Sequence, residues 1–202
     1  FQEDATIVDH RHYPGEQHIL RLHSPKCARE ARAGQFIHLQ CDPLLPLRRP
    51  LSIMRANPDA GWIELLYKVV GHGTHLLASK ENGQVLSTLG PIGNTFELSA
   101  DKPLRLLIGG GVGIPPMIFL AEMIAQYYPQ DTSSTLVVMG SEVKFPFELQ
   151  QSPIEVAGIE NSINRSIKSL ESISIPSRLC SLQGFSGCYQ GYAPDLARQY
   201  LR

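Results

Sequence analysis

Leu106-Leu107-Ile108-Gly109-Gly110-Gly111-Val112-Gly113-Ile114-Pro115-Pro116 decides the architecture of this chain. The apolar run from Leu104 to Ile108 reads as a strand covered on both faces, as in a parallel sheet. Four glycines follow, and then a helix is expected from about Pro116 to Gln126, with Met117, Leu120, Ala121 and Ile124 on one face. Proline in the first helical turn fits there, because the amides of that turn have no carbonyl to reach. Thr135 to Met139 is the next buried-type strand. Strand, helix and strand at this spacing imply a right-handed parallel βαβ unit. A glycine-rich turn between a buried strand and a helix is the setting in which a nucleotide phosphate approaches the backbone. The stretch departs from the strict G-x-G-x-x-G pattern, since Pro116 stands where that pattern needs Gly or Ala.

Upstream of Asp101-Lys102-Pro103 the pattern is different. Ala5 to His12, Gln17 to His23, Phe36 to Cys41, Leu51 to Arg55, Trp62 to Val70 and Gln84 to Leu89 read as short strands with partial alternation. Pro14-Gly15, Asn57-Pro58-Asp59 and Glu81-Asn82-Gly83 mark turns between them. Many short strands at this spacing predict a barrel or sandwich. One short helix is expected after Gly73, with Thr74 as its cap and His75-Leu76-Leu77-Ala78 as its body. The expected domains are therefore 1–100, a β-barrel, and 101–202, an α/β parallel-sheet domain. Ser162 to Ser174 shows no clear periodicity and reads as a loop or irregular helix. Tyr192 to Leu201 reads as helical.

Composition narrows the function. The 202 residues carry 43% hydrophobic and 18% charged side chains, ordinary for a chain that buries a core. A formal net charge of −1 argues against a nucleic-acid binder, which usually shows a basic face. Leu104 to Leu120 is the longest apolar stretch, but four glycines and two prolines interrupt it, so no membrane span is expected. Phe1-Gln2-Glu3-Asp4 is no secretory signal and lacks an initiator Met, as a trimmed chain would; a cytoplasmic location is expected. Cys27, Cys41, Cys180 and Cys188 form no CxxC pair, so their spacing suggests neither zinc nor a dithiol motif, and reduced thiols are expected. The seven histidines, among them His10, His12, His18 and His23, read as surface or packing residues.

Two more stretches carry chemistry. In Arg48-Arg49-Pro50-Leu51-Ser52-Ile53, an arginine fork suits phosphate oxygens, and the serine hydroxyl can donate and accept. The plainer reading is a basic turn before an edge strand. In Tyr67-Lys68-Val69-Val70-Gly71-His72-Gly73-Thr74, a strand runs through two glycines into a helix start, a place where phosphate binds. A flexible strand-to-helix turn explains it equally well when it stands alone.

In order and spacing these stretches resemble the ferredoxin–NADP reductase superfamily, and more closely the electron-transfer subunits of B-type dihydroorotate dehydrogenase. The resemblance rests on Arg49-Pro50-Leu51-Ser52, Val70-Gly71-His72-Gly73-Thr74, Gly90-Pro91-Ile92-Gly93-Asn94-Thr95-Phe96 and Gly109 through Pro116, within about residues 1 to 145. It implies a Greek-key FAD-binding β-barrel followed by an NAD(P)-binding α/β domain. It further implies an oxidoreductase that passes electrons between NAD(P)H and a protein partner, a catalytic dehydrogenase subunit of pyrimidine biosynthesis. By position, Arg49 would meet the FAD pyrophosphate, with Pro50 and Leu51 beside it. Ser52 would tune the flavin by hydrogen bonding, without acid–base chemistry. Leu66, Tyr67 and Lys68 would line the flavin with backbone and side chains, and Gly73 and Thr74 would cap the pyrophosphate. Gly110, Gly111, Val112 and Gly113 would border the nicotinamide cofactor, with Met139 and Gly140 at the end of the next strand.

Two departures temper the implied function. The family's [2Fe–2S] cluster sits on four closely spaced thiolates, and the cysteines here offer no such spacing, so no cluster is expected. The chain also does not reach the C-G-P-x-P-M strand that completes the nicotinamide site in the family, so two expectations stand side by side: a missing C-terminal segment, or a reduced nucleotide domain. A stand-alone flavin reductase and a non-redox nucleotide- or partner-binding member remain as alternatives. Gly140-Ser141-Glu142, with an acid in place of an arginine, leans towards NAD over NADP.

Overall fold

The computed structural model describes residues 1–99 and 101–202, so position 100, where the expected boundary falls, lies outside the described residues. The chain divides into two compact units, Phe1–Phe96 and Glu97–Arg202.

The first unit is a closed six-stranded antiparallel barrel. Its strands are β1 (Gln2–Tyr13), β2 (Gln17–His23), β3 (Phe36–Leu39), β4 (Arg49–Asn57), β5 (Trp62–Lys68) and β6 (Val85–Ile92). They close in the order β1-β2-β5-β4-β3-β6. Within that order β6 lies beside β3 while β3, β4 and β5 follow one another, which is a Greek key. All six strands expected from the sequence form. Their inward positions, such as Ile7, Leu20, Leu22, Ile37, Leu39, Ile53, Ile63 and Leu65, are essentially inaccessible to solvent. Closure leaves no strand edge exposed to pair with another chain.

Two charged clusters hold the barrel from outside its core. Glu64 is 1% exposed and accepts from Arg11 of β1 at 2.9 Å, Arg21 of β2 at 3.0 Å and Arg55 of β4 at 2.9 Å. Arg21 also lies 4.2 Å from the Trp62 ring centroid. Glu3 of β1 accepts from the Ser24 hydroxyl and from the amides of Lys26 (3.2 Å) and Cys27 (2.8 Å). It thereby caps a helix the periodicity did not reveal, α1 (Pro25–Glu30). With only six residues, α1 is too short to show an amphipathic period.

The other short helix, α2 (His72–Ala78), starts three residues earlier than expected, with Gly71 at its N-cap. Thr74 is consequently not the cap but the third helical residue. Its hydroxyl accepts from the Val70 and Gly71 amides at 3.0 and 3.2 Å and donates to the Gly71 carbonyl at 3.0 Å. Gly71 has no side chain to cap with, so Thr74 alone closes the turn.

The second unit contains a three-stranded parallel sheet in the order β11-β8-β7. Its strands are β7 (Arg105–Gly110), β8 (Thr135–Gly140) and β11 (Ser177–Cys180). Helix α3 (Ile114–Tyr127) joins β7 to β8, as the glycine-rich stretch predicted. β8 is central and buried from Thr135 to Met139. β7 is an edge strand, and Ile108 is 41% exposed, so the expectation of a strand covered on both faces does not hold for it.

The stretch 162–174 is neither wholly loop nor helix. It contains β10 (Arg165–Ile167), paired with β9 (Leu149–Gln151), and the single turn α4 (Lys168–Glu171). Helix α5 (Ala193–Tyr200) packs Ala193 and Leu196 into a cluster with Leu136, Val138, Ile159, Ile163 and Cys180. No helix among the described residues is long and apolar enough to cross a membrane.

Candidate functional site

In the barrel, β4 and the β5–α2 connection bring the predicted residues together. β4 pairs with β3 so that Leu39 faces Arg49, His38 faces Pro50, Ile37 faces Leu51 and Phe36 faces Ser52. Alternation turns Leu51 and Ile53 into the core and leaves Pro50 exposed and Ser52 half-buried on the outer face. Arg49 starts the strand, and its guanidinium lies over Gly73 at the beginning of α2. A Cβ built on Gly73 would fall 2.6 Å from Arg49 Nε and 2.9 Å from Cζ and Nη2. Residues 49 and 73, far apart in sequence, thus form one seat: a guanidinium laid on a bare backbone. The residue at 73 is glycine because nothing larger leaves the guanidinium its place.

The two neighbouring arginines have separate roles. Arg48 donates to the Ser87 carbonyl at 2.7 Å and the Ser87 hydroxyl at 2.9 Å, which pins the β3–β4 connection to β6. Arg49 donates through Nη1 to the Leu47 carbonyl at 2.9 Å, its one strong bond, and weakly to the Arg48 carbonyl at 3.5 Å. A guanidinium carries five N–H donors, so that single strong bond leaves capacity for an anion.

β5 presents Leu66, Tyr67 and Lys68 differently. Leu66 and Lys68 share the outer face with Glu64, whereas Tyr67 turns inward. The Tyr67 hydroxyl meets His10 Nε2 at 2.9 Å, and its ring stacks on His18 at 5.1 Å and 16°. Only the Tyr67 backbone is therefore available to a ligand outside the barrel. His10 Nδ1 faces the Lys80 carbonyl at 2.9 Å. A carbonyl can only accept, so Nδ1 carries a proton, and the other ring nitrogen, Nε2, shares its hydrogen bond with the Tyr67 hydroxyl.

His12 and His10 ring centroids stand 4.8 and 5.1 Å from that of His18. Burial first, then the neighbouring His10 and His12, pull His18 down to about 4. Three of the scattered histidines thus gather beside Tyr67, and the pairing of β1 with β2 and of β2 with β5 is what brings them together.

In the second unit the glycines collect at the carboxyl ends of β7 and β8. Gly110 pairs with Gly140, and a Cβ on Gly110 would meet the Gly140 carbonyl at 3.9 Å. Gly111 has φ +53°, and Gly113 caps α3. Gly109 is the tightest point, where a Cβ would fall 2.8 Å from the Gly113 carbonyl oxygen. Val112 is 63% exposed beside this turn. In open α/β sheets a ligand lies outside the carboxyl ends of the strands. Met139 is fully buried in β8, so its side chain belongs to the core and only its backbone reaches that edge.

Cys27 and Cys41 belong to the first unit and Cys180 and Cys188 to the second, all as free thiols. Burial pushes Cys27 and Cys180 up to about 12. Among the described residues no group of three or more His, Cys, Asp or Glu is placed to hold a metal ion.

No protein-family model matches the chain. The dihydroorotate dehydrogenase B (NAD(+)) electron transfer subunit of Geobacillus sp. (strain WCH70) is 42% identical over 133 residues, 62% of this chain and 50% of that protein. That of Lysinibacillus sphaericus (strain C3-41) is 36% identical over 127 residues, 61% of this chain and 49% of its own. The chain therefore spans about half the length of the curated relatives it matches. Among solved structures, the NADH-dependent reduced ferredoxin–NADP oxidoreductase superposes with a TM-score of 0.73 at 24% identity, covering 98% of this chain and 63% of that one. The ferredoxin reductase in carbazole 1,9a-dioxygenase gives 0.70 at 18% identity, covering 98% and 56%. In sequence the chain is similar to the electron-transfer subunits of dihydroorotate dehydrogenase B, and in fold it is similar to these two solved reductases, with a closed antiparallel barrel followed by a parallel sheet with helices.

Proposed function

We propose that the chain is the flavin- and nicotinamide-binding part of an NAD(P)H-dependent oxidoreductase, carrying electrons through FAD to a catalytic dehydrogenase subunit. The observation that supports this best is the Arg49 guanidinium resting on Gly73. A cation beside a helix start without a side chain fits a pyrophosphate, and the fit follows from the residues present. In this reading residues 1–100 hold FAD and residues 101–202 hold NAD(P)H, in the cytoplasm.

Bound FAD supplies the chemistry, accepting a hydride and releasing electrons singly or in pairs. The protein binds and orients. Arg49 offsets the charge of the pyrophosphate, and Thr74 holds the 70–74 turn in shape. Pro50 and Leu51 carry the backbone of β4 past the ligand. Ser52 offers a hydroxyl to the edge of the flavin ring and shifts no proton. Leu66, Lys68 and the Tyr67 backbone lie on the neighbouring strand. Gly110, Gly111, Val112, Gly113 and Gly140 give the nicotinamide dinucleotide a close approach to the backbone, with the Met139 backbone beside them.

The partner follows from the relatives, which are subunits of a dihydroorotate dehydrogenase; pyrimidine biosynthesis is the corresponding setting. The exposed Glu142 just past β8 favours NAD over NADP.

Absorbance of the purified protein tests the reading. The expected result is a yellow protein, or one that turns yellow with added FAD, with bands at about 370 and 450 nm that NADH bleaches under anaerobic conditions. A protein that takes up no FAD overturns it.

A further inference from the structure

The segment that carries Gly73 leaves the barrel at Tyr67 in β5, turns through Gly71, forms α2 and ends at Lys80. Both of its ends meet one side chain, His10 of β1. Nδ1 of that imidazole faces the Lys80 carbonyl at 2.9 Å, and Nε2 faces the Tyr67 hydroxyl at 2.9 Å. Each end is fixed on its own account. Tyr67 is 2% exposed and stacks on His18. The Lys80 amide donates to the Leu77 carbonyl at 3.1 Å, and its Nζ pairs with Asp42 Oδ2 at 2.9 Å.

Inside the segment the bonds are local. Thr74 closes the turn on Val70 and Gly71, and the His75 amide donates to the Gly71 carbonyl at 2.9 Å. Such bonds shape the turn but do not place it on the barrel. Burial of Leu77 keeps α2 against its neighbours, and burial has no direction. Hydrogen bonds do have direction, so the two made by His10 fix where the ends of the segment stand. The placement is demanding, since a Cβ on Gly73 would fall 2.6 Å from Arg49 Nε.

We infer that His10 is a positioning residue, which closes the 67–80 segment by bonding Tyr67 and Lys80 at once and so keeps Gly73 beneath Arg49. The consequence for FAD rests on the flavin reading above; the closure itself does not. His10 touches no ligand in this scheme and acts through the seat alone.

Hydrogen exchange of the flavin-free protein and FAD titration test this on His10→Ala, His10→Asn and His10→Gln. The Asn amide nitrogen stands in for Nδ1 and keeps the Lys80 bond, whereas that of Gln stands in for Nε2 and keeps the Tyr67 bond. In His10→Ala the Val70, Gly71 and His75 amides are expected to exchange about three- to tenfold faster, the effect of about one lost hydrogen bond. The Gln40 amide, bonded to the Ser87 carbonyl at 2.9 Å elsewhere in the barrel, should keep its parental rate. Asn and Gln should each recover part of the protection. FAD affinity of His10→Ala should fall by about three- to tenfold, and His10→Ala should weaken Arg49→Gln no further.

Parental exchange at residues 70, 71 and 75 in His10→Ala overturns the inference. Faster exchange at Gln40 as well, with no recovery in Asn or Gln, overturns it too, because His10 then serves general stability. So does local opening with parental FAD affinity, or full additivity with Arg49→Gln. A parent that takes up no FAD removes the flavin reading alone, and the exchange pattern still decides whether His10 closes the segment.

Discussion

Replacing Gly73 with alanine sets two physical effects against each other. Gly73 lies within α2, and alanine is the better helix former by up to about 1 kcal/mol. The new Cβ, however, would sit 2.6 Å from Arg49 Nε, well inside van der Waals contact. What it meets is the end of a flexible, half-buried side chain, so the guanidinium swings away and the backbone holds. Stability without flavin is therefore expected to stay level or rise slightly. The cost appears on binding. Losing the charge-assisted hydrogen bonds of Arg49 is worth roughly 1.5–3 kcal/mol, or about 10- to 150-fold in FAD affinity. The assay pairs thermal unfolding of the flavin-free protein with FAD titration of Gly73→Ala, Arg49→Gln and the double variant. Both substitutions remove the same guanidinium from the same place, so the double variant should bind about as weakly as either single one. Parental FAD affinity in Gly73→Ala, or full additivity in the double variant, refutes the reasoning.

Other outcomes follow from the same geometry. Glu64→Ala removes the carboxylate that Arg11, Arg21 and Arg55 share on the outer face of the barrel. Because those arginines are partly exposed, the expected loss is about 1–3 kcal/mol, read from the urea midpoint. Gly109→Ala places a Cβ 2.8 Å from the backbone oxygen of Gly113, which cannot swing aside; it should destabilise the second unit by about 1–3 kcal/mol, in contrast with Gly73→Ala. His18 is held down to about 4 in the folded protein. Its unfolded value is about 6.5, so as the pH falls from about 6.5 to 4 the unfolded chain takes up a proton that the native chain does not. Stability should therefore drop across that window by roughly 1–3 kcal/mol. Chemical denaturation as a function of pH checks this, and His18→Phe should flatten the curve; an unchanged slope tells against burial of His18 as the cause.

Local chemistry carried much of the architecture. Gly15 and Gly83 have φ of +80° and +89°, conformations that favour glycine, and the turns read from Pro14-Gly15 and Glu81-Asn82-Gly83 lie there. Asn57 accepts the Ala60 amide at 2.8 Å, which closes the turn at Asn57-Pro58-Asp59. The change from alternation to a glycine-punctuated βαβ pattern near residue 100 separates the two units for the same reason: strand and helix periods are properties of neighbouring residues. β11 was not legible, because Arg178 interrupts its apolar character. That arginine is 3% exposed and donates to the Ile154 carbonyl at 2.5 Å, a partner more than twenty residues away.

What the sequence determined by itself is the order of elements and the types of residue gathered near each turn, since both depend on interactions within a few residues. Tertiary structure alone decided which way each member of a group faces. Arg48 and Arg49 are indistinguishable by composition, yet one binds β6 and the other lies on Gly73. Tyr67 differs from Leu66 and Lys68 only by the parity of the strand, and Met139 from Gly140 only by its place in the sheet. The physical reason is that strand register and barrel closure set the direction of each side chain. Both arise from hydrogen bonds and packing between segments that lie far apart along the chain.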